Sequence, residues 1–434
     1  MSETIYTDFI PLRRLLDQAG DYGALMAEYG RGAEVKGAAG RLEAELRRAL
    51  DGIKALGAGA CSADEPNDYE AIRKLCAGGN APAKRIPDLR ERMAGAVLGR
   101  FAGCTLGAPV EGWSVSDMKR LAGYNREPFP PEDYWSYADQ PWGLRYEADT
   151  RVKYTRDHMD GVPVDDDLTY TILGLLIIER YGFGFTTEDV GEIWKELLPY
   201  ACTAEDAALR NLRAGVAAQN AADIDNPYCQ WIGADIRADG FAYAAAGDPE
   251  LAAGLGYRDA YLSHRRNGIY GEMFFAAAEA AAFTVNDPID AIRAALREIP
   301  ANCALRRDME WALETGPSIA DYAEARRAVD ARFPGMHPVH TNNNACLTVF
   351  GLMLGKNDFT KIIGNIVAMG MDNDCTAATA GSIAGAVLGR SGVAPRWHAR
   401  FNDRIRTYIK GYPELSIEDV ISRFVRLAEM RMEK

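Results

Sequence analysis

The chain has 434 residues, of which 48% are hydrophobic and 26% charged, so it can bury a sizeable core and is not disordered by composition. Acidic residues number 62 against 49 basic ones, a net charge of −13 with no basic run, which argues against binding nucleic acid. Eight scattered cysteines without a Cys-x-x-Cys pair spell neither a disulfide framework nor a structural zinc site. The first residues lack the basic and apolar stretches of a signal peptide. The longest strongly apolar run, 172–178, is far short of the roughly 20 residues that span a bilayer. A cytoplasmic protein without a membrane partner is expected.

Helical periodicity dominates, and the fold class read from it is all-α. Residues 1–86 read as a helical N-terminal extension, ending in the Gly/Ala/Pro stretch 77–84, and residues 87–434 as the main domain. Helices are expected over 36–56, 87–106, 166–181, 187–200, 204–222, 271–284, 287–298, 318–332, 343–355, 358–369, 376–390 and 416–431. Thr186 and Ser416 precede acidic first turns as hydroxyl caps, and Pro288 sits in a first turn where its missing N–H costs nothing.

Residues 113–163 break this pattern with many prolines and aromatic rings. Two readings are open. The segment is an ordered belt over a hydrophobic surface, or 124–146 is a lid whose Trp135, Tyr137 and Trp142 stack on a planar ligand group. One heptapeptide, Ala-Gly-Ala-Val-Leu-Gly-Arg, occurs at both 94–100 and 384–390. Its small residues at helical spacing suggest two closely packed central helices.

Two acidic clusters each open a helix: Asp165-Asp166-Asp167 and Asp372-Asn373-Asp374. Either alone is adequately read as capping in favour of the helix dipole. Together they ask for more. Three consecutive carboxylates repel one another unless something cationic relieves them. The helix after Asp374 has almost no large side chain and is expected deep in the interior, where carboxylates must be paired or metal-bound. Hard oxygen ligands of this kind suit Mg²⁺ or Mn²⁺. Upstream, Gly103 to Glu111 forms a helix end and Gly-rich turn carrying one more carboxylate.

These three elements, in this order, resemble the motifs of the ADP-ribosylglycohydrolase family. Gly103–Glu111 is similar to its Gly-Asp-Ala-Leu-Gly-x-Pro-x-Glu, Asp165–Leu168 to its Thr-Asp-Asp-Thr, and Gly370–Ala377 to its Gly-x-Asp-Thr-Asp-Thr-Asn-Ala. The resemblance covers about 88–390. It implies a compact multi-helix domain with two Mg²⁺ ions (Mn²⁺ as the alternative) at its centre. Implied metal ligands are Glu111, Asp165, Asp166, Asp167, Asp372 and Asp374, with Cys375 or Thr376 completing the second site. It implies cleavage of a ribosyl glycosidic bond in an ADP-ribosylated or related substrate. Asp166 or Asp167 is the candidate general base, with Glu111 as a third catalytic candidate. Gly107, Gly233, Arg237 and Gly370 are the implied substrate-binding positions. His340 and Asn344, which open another helix, are either capping groups or contacts to a phosphate or ribose. Asp165 stands where the family has Thr, Cys375 where it has Thr, and Cys104 where many relatives have Asp; these departures bear on substrate identity. A di-metal phosphohydrolase would be expected to add metal-ligating His, and the acidic clusters contain none. A catalytically silent nucleotide-binding or structural relative would have no chemical reason to keep all these carboxylates.

Overall fold

The computed structural model describes residues 5–56, 63–78, 82, 85–138 and 152–433, with side chains from residue 12 onward. It divides into two compact units, Met1–Ala63 with Phe333–His337, and Asp64–Arg332 with Pro338–Lys434.

The smaller unit carries two long helices, α1 (Ile5–Glu28) and α2 (Gly32–Ala55), joined by a tight turn at Gly30 (φ +77°). The larger unit opens with α3 (Tyr69–Leu75), α4 (Leu89–Gly107) and α5 (Val115–Asn125). Next come α6 (Asp166–Tyr181), α7 (Thr187–Leu197), α8 (Thr203–Arg213), α9 (Ala238–Ala244) and α10 (Pro249–Ala260). There follow α11 (Asn267–Ala282), α12 (Pro288–Ala295), α13 (Ala304–Thr315) and α14 (Tyr322–Arg332). The last are α15 (Thr341–Gly355), α16 (Phe359–Met369), α17 (Asn373–Leu388) and α18 (Ile417–Met432). Among the described residues one short antiparallel pair, Arg404–Arg406 with Glu414–Ser416, is the only sheet. The all-α expectation holds.

Side-chain chemistry sorts these helices into layers. Every residue of α11 is buried, as are 373–387 of α17 and 93–107 of α4. Helices apolar on all sides have no solvent face and become the centre. Around them α7, α8 and α18 alternate apolar and charged faces and keep the charged face outward. Among the described residues, Leu89–Val110 is the one helix long and apolar enough to cross a membrane, and its apolar stretch is wholly buried in the core.

The expected caps are present. Thr186 and Asp189 form a reciprocal capping box, and Ser416 accepts from the amide of Asp419. The single helix expected over 204–222 is instead two pieces. α8 stops at Arg213, Gly215 adopts φ +87°, and a short 3₁₀ turn covers 218–223. A left-handed glycine ends the helix there, whatever the hydrophobic pattern beyond it.

The repeated heptapeptide sets the central packing. α4 and α17 form the most extensively packed helix pair. Gly95 faces the carbonyl of Gly385, Gly99 that of Gly381, and Gly103 that of Ala377, each so closely that a Cβ would overlap the opposing backbone. The ladder ends with Gly107 against the backbone of Asp374. The turn that carries Glu111 and the Asp372–Asp374 cluster are therefore held together by backbone-to-backbone contact.

Candidate metal centre

Asp165 is the N-cap of α6, in extended conformation, and accepts from the amide of Asp167 at 3.1 Å. The strand-like approach is pinned by Val162, whose amide donates to Arg404 at 2.7 Å. The second cluster is aimed by a left-handed turn. Gly370 and Met371 have φ +72° and +64°, and the chain then enters α17 at Asp372. Gly112 donates to the carbonyl of Met371 at 3.0 Å, stitching the Glu111 turn to the Asp372 turn. The amide of Asp372 reaches the side-chain oxygen of Asn344 at 3.4 Å.

These local devices bring the clusters together across more than 200 residues of sequence. Ligand atoms of Cys104, Asp165 and Asp167 lie within 4.8 Å of one another, as do those of Asp167, Asp374 and Cys375, and of Glu111, Asp372 and Asp374. Asp167 and Asp374 are each shared between two groups, so the three form one continuous cluster. Asp165 and Asp166 are half-buried, Asp167, Asp372 and Asp374 are buried, and Glu111 is exposed.

Burial, then the neighbouring carboxylates, pushes the pKa of Asp165, Asp167 and Asp372 well above the usual carboxylate range. Asp166 is raised as well, by burial and by Asp374. Asp372 Oδ1 is buried and makes no hydrogen bond. An unpartnered carboxylate oxygen among like charges fits a divalent cation held by oxygen ligands.

Arg100 was not foreseen as part of the site. It sits wholly buried in α4, and its Nη2 donates to the carbonyl of Asp167 at 3.2 Å and to that of Ile236 at 2.7 Å. The same nitrogen lies 3.4 Å from Asp167 Oδ1, and Nε lies 3.1 Å from Asp239 Oδ2. A guanidinium here offsets part of the negative charge and fixes the turn that presents Asp167. The available signal was an arginine within the otherwise uncharged stretch 93–107 of α4. Tyr154 was also missed; its hydroxyl donates to Val164 and lies 3.5 Å from Asp165 Oδ2. The two cysteines point at carboxylates: Cys375 Sγ donates to Asp167 Oδ2 at 3.2 Å, and the Cys104 thiol bonds Asp165.

The other expected positions separate into two groups. Gly107, Gly370 and Asn344 border the cluster, the last two through the turn that presents Asp372. His340 caps α15, its Nδ1 accepting from the amide of Asn342 at 3.2 Å. Arg237 is buried, paired with Glu205, Asp259 and Glu272, and enclosed by the rings of Tyr170 and Trp194. Gly233 packs on the Glu205 carboxylate of that same network.

The stacking role expected of Trp135 is corrected. Its indole is 2% exposed and donates to the carbonyl of Leu106 at 3.1 Å, while Tyr134 donates to Trp397 at 2.7 Å. Both rings wedge into the larger unit beside the C-terminal end of α4, because their polar tips find carbonyls there. Tyr137 is exposed and packs edge-on to His158, with centroids 5.0 Å apart. Trp142 and Tyr146 lie outside the described residues.

Comparison with known proteins agrees with this architecture. A chain of an ADP-ribosylglycohydrolase-related protein complex superposes with a TM-score of 0.52 at 20% identity, covering 79% of this chain and 99% of its own. That likeness is one of fold. No curated protein matches the chain. The profile of the ADP-ribosylglycohydrolase family matches residues 85–431, nearly all of the larger unit. The chain belongs to the ADP-ribosylglycohydrolase family of glycoside hydrolases.

Proposed function

We propose that the protein is a Mg²⁺-dependent hydrolase, with Mn²⁺ as a substitute, that cleaves a ribosyl glycosidic bond in an ADP-ribosylated or related substrate. The observation that carries this reading is the convergence of Asp165, Asp167, Asp372, Asp374 and Glu111 on one cluster with an unpartnered buried oxygen at Asp372, while Asp166 belongs to none of its ligand groups and is tied to it through the charge of Asp374. Bound there, a divalent pair would orient the ribose hydroxyls and stabilise charge near the reacting carbon. Asp167 is committed to Arg100 and Cys375, which makes it a ligand held in place. Asp166 is half-buried with a raised pKa, so it is the better placed group to accept a proton from attacking water. Glu111, exposed at the rim, is assigned to ligation and to contact with the sugar. The reading places the enzyme in the cytoplasm, without nucleic-acid or membrane partners.

The test is a hydrolysis screen with added Mg²⁺ or Mn²⁺ over ADP-ribosylated proteins, ADP-ribosyl small molecules and nucleosides. Release of free ribosyl product is expected from at least one class. Glu111→Gln should lower kcat by about 10²-fold or more with little change in Tm, since the side chain is exposed. Silence of the wild-type protein on every ribosyl class, with metal bound, would sink the proposal.

Cys375 gives a second expected result. A thiol is a soft ligand beside five hard carboxylates. Cys375→Thr replaces it with a hydroxyl, and should raise Mg²⁺ affinity about tenfold while lowering affinity for Zn²⁺. Calorimetric titration with both ions checks this; unchanged affinities for both would remove Cys375 from the ligand set.

A further inference from the structure

The hairpin α1–α2 has an apolar surface that nothing in the catalytic reading uses, and it lies outside the segment matched by the family. Among the described residues, nine of the sixteen exposed large hydrophobic side chains fall between Leu15 and Leu56. No residue of α2 is buried, although the helix is 24 residues long. Scattered exposed apolar residues are ordinary, but a concentration of this kind marks an interaction surface.

The spacing says what kind of partner it takes. On α1, Leu12, Leu15, Ala19, Tyr22 and Met26 alternate steps of three and four. On α2, Val35, Ala39, Leu42, Leu46, Ala49 and Ile53 do the same. This is the seam of a helix that packs along other helices. Charge narrows the choice. α1 carries four acidic against two basic side chains and α2 four against five, so their net charges are opposite in sign. A two-fold axis that lays α1 of one copy on α2 of another pairs unlike charges twice over, as an isologous contact requires. A membrane surface is disfavoured, because an interfacial helix carries Lys and Arg on its polar face and α1 is acidic.

We propose that this hairpin is a self-association surface, where two copies of the chain join their hairpins into a four-helix bundle. The inference is independent of the metal centre. Light scattering of the full-length protein should give a mass of two chains, with dissociation on dilution over about 1–100 µM. Leu15→Glu combined with Ile53→Glu should weaken association by about 100-fold or more with hydrolysis unchanged.

A charge exchange guards against simple unfolding of the hairpin. Asp17→Lys with Asp21→Lys makes both helices basic, and in a second chain Arg47→Glu with Arg48→Glu makes both acidic. Each chain alone should be monomeric, and a mixture should form the heterodimer. A wild-type chain that stays a single copy at about 100 µM overturns the proposal. So does a dimer indifferent to both sets of substitutions, or a monomer that binds phosphatidylserine vesicles through the hairpin.

Discussion

Asp372→Asn is expected to raise the melting temperature of the metal-free protein, to remove its response to Mg²⁺, and to lower turnover by about 10³-fold. The three effects share one cause. Asp372 is 5% exposed, its Oδ1 is unpartnered, and burial together with Asp374 and Glu111 holds its pKa well above the ordinary value. The folded protein therefore keeps a proton that the unfolded chain releases near pH 4. As pH rises from there toward the folded-state pKa, this carboxyl progressively favours unfolding. At neutral pH, Asn has the same shape and no charge, so it relieves a cost of about 1–3 kcal/mol. On the proposed function, a bound cation would relieve the same cost in the wild-type protein and, at about a hundredfold excess over Kd, would add roughly 2.7 kcal/mol. Thermal melts of both proteins in EDTA and in MgCl₂ check this. Equal shifts with Mg²⁺, or a lower melting temperature for the metal-free variant, would show that Asp372 is an ordinary cap.

What was readable in advance depended on how local its cause was. Helix α6 begins at Asp166, as expected, because cap, acidic turn and apolar run are consecutive in the chain. The two Asp clusters and Glu111 were legible because each is a short motif, and the repeated heptapeptide announced the α4–α17 pairing. Arg100 was not legible as part of the site. Its partners Asp167, Ile236 and Asp239 lie far along the chain, and nothing near residue 100 names them. Trp135 failed for the complementary reason. An aromatic ring in an irregular segment reads equally as lid or wedge, and the choice rests on the carbonyl of Leu106, which only the folded chain supplies. Helix α10, entered through Pro249 after an Asp248 cap, escaped because its Ala and Gly residues leave little amphipathic signal.

Gly103→Ala is expected to be the most destabilising single methyl group that can be added to this protein's α4–α17 interface. A Cβ at residue 103 would overlap the carbonyl oxygen of Ala377 and lie 2.8 Å from the amide nitrogen of Ala378. Those atoms belong to a helix backbone, so no rotamer change can make room. The helices must separate by about 1 Å, and overpacking of a rigid interior of this kind falls at the upper end of single-mutation costs, about 3–5 kcal/mol. The same displacement acts on the site. α4 runs into the Glu111 turn, and Ala377 lies one helical turn after Asp374, so parting the helices here pulls ligands on α17 away from ligands positioned by α4. Whatever fraction still folds should therefore show weakened Mg²⁺ stabilisation as well as a lower melting temperature. Gly123→Ala in α5 is the control: it is an exposed helical glycine with nothing within 4 Å of the added carbon. There the methyl group should be neutral or stabilising by up to about 1 kcal/mol. If Gly103→Ala melts like Gly123→Ala and responds equally to Mg²⁺, the close approach of the two helices is not what holds the two halves of the metal centre together.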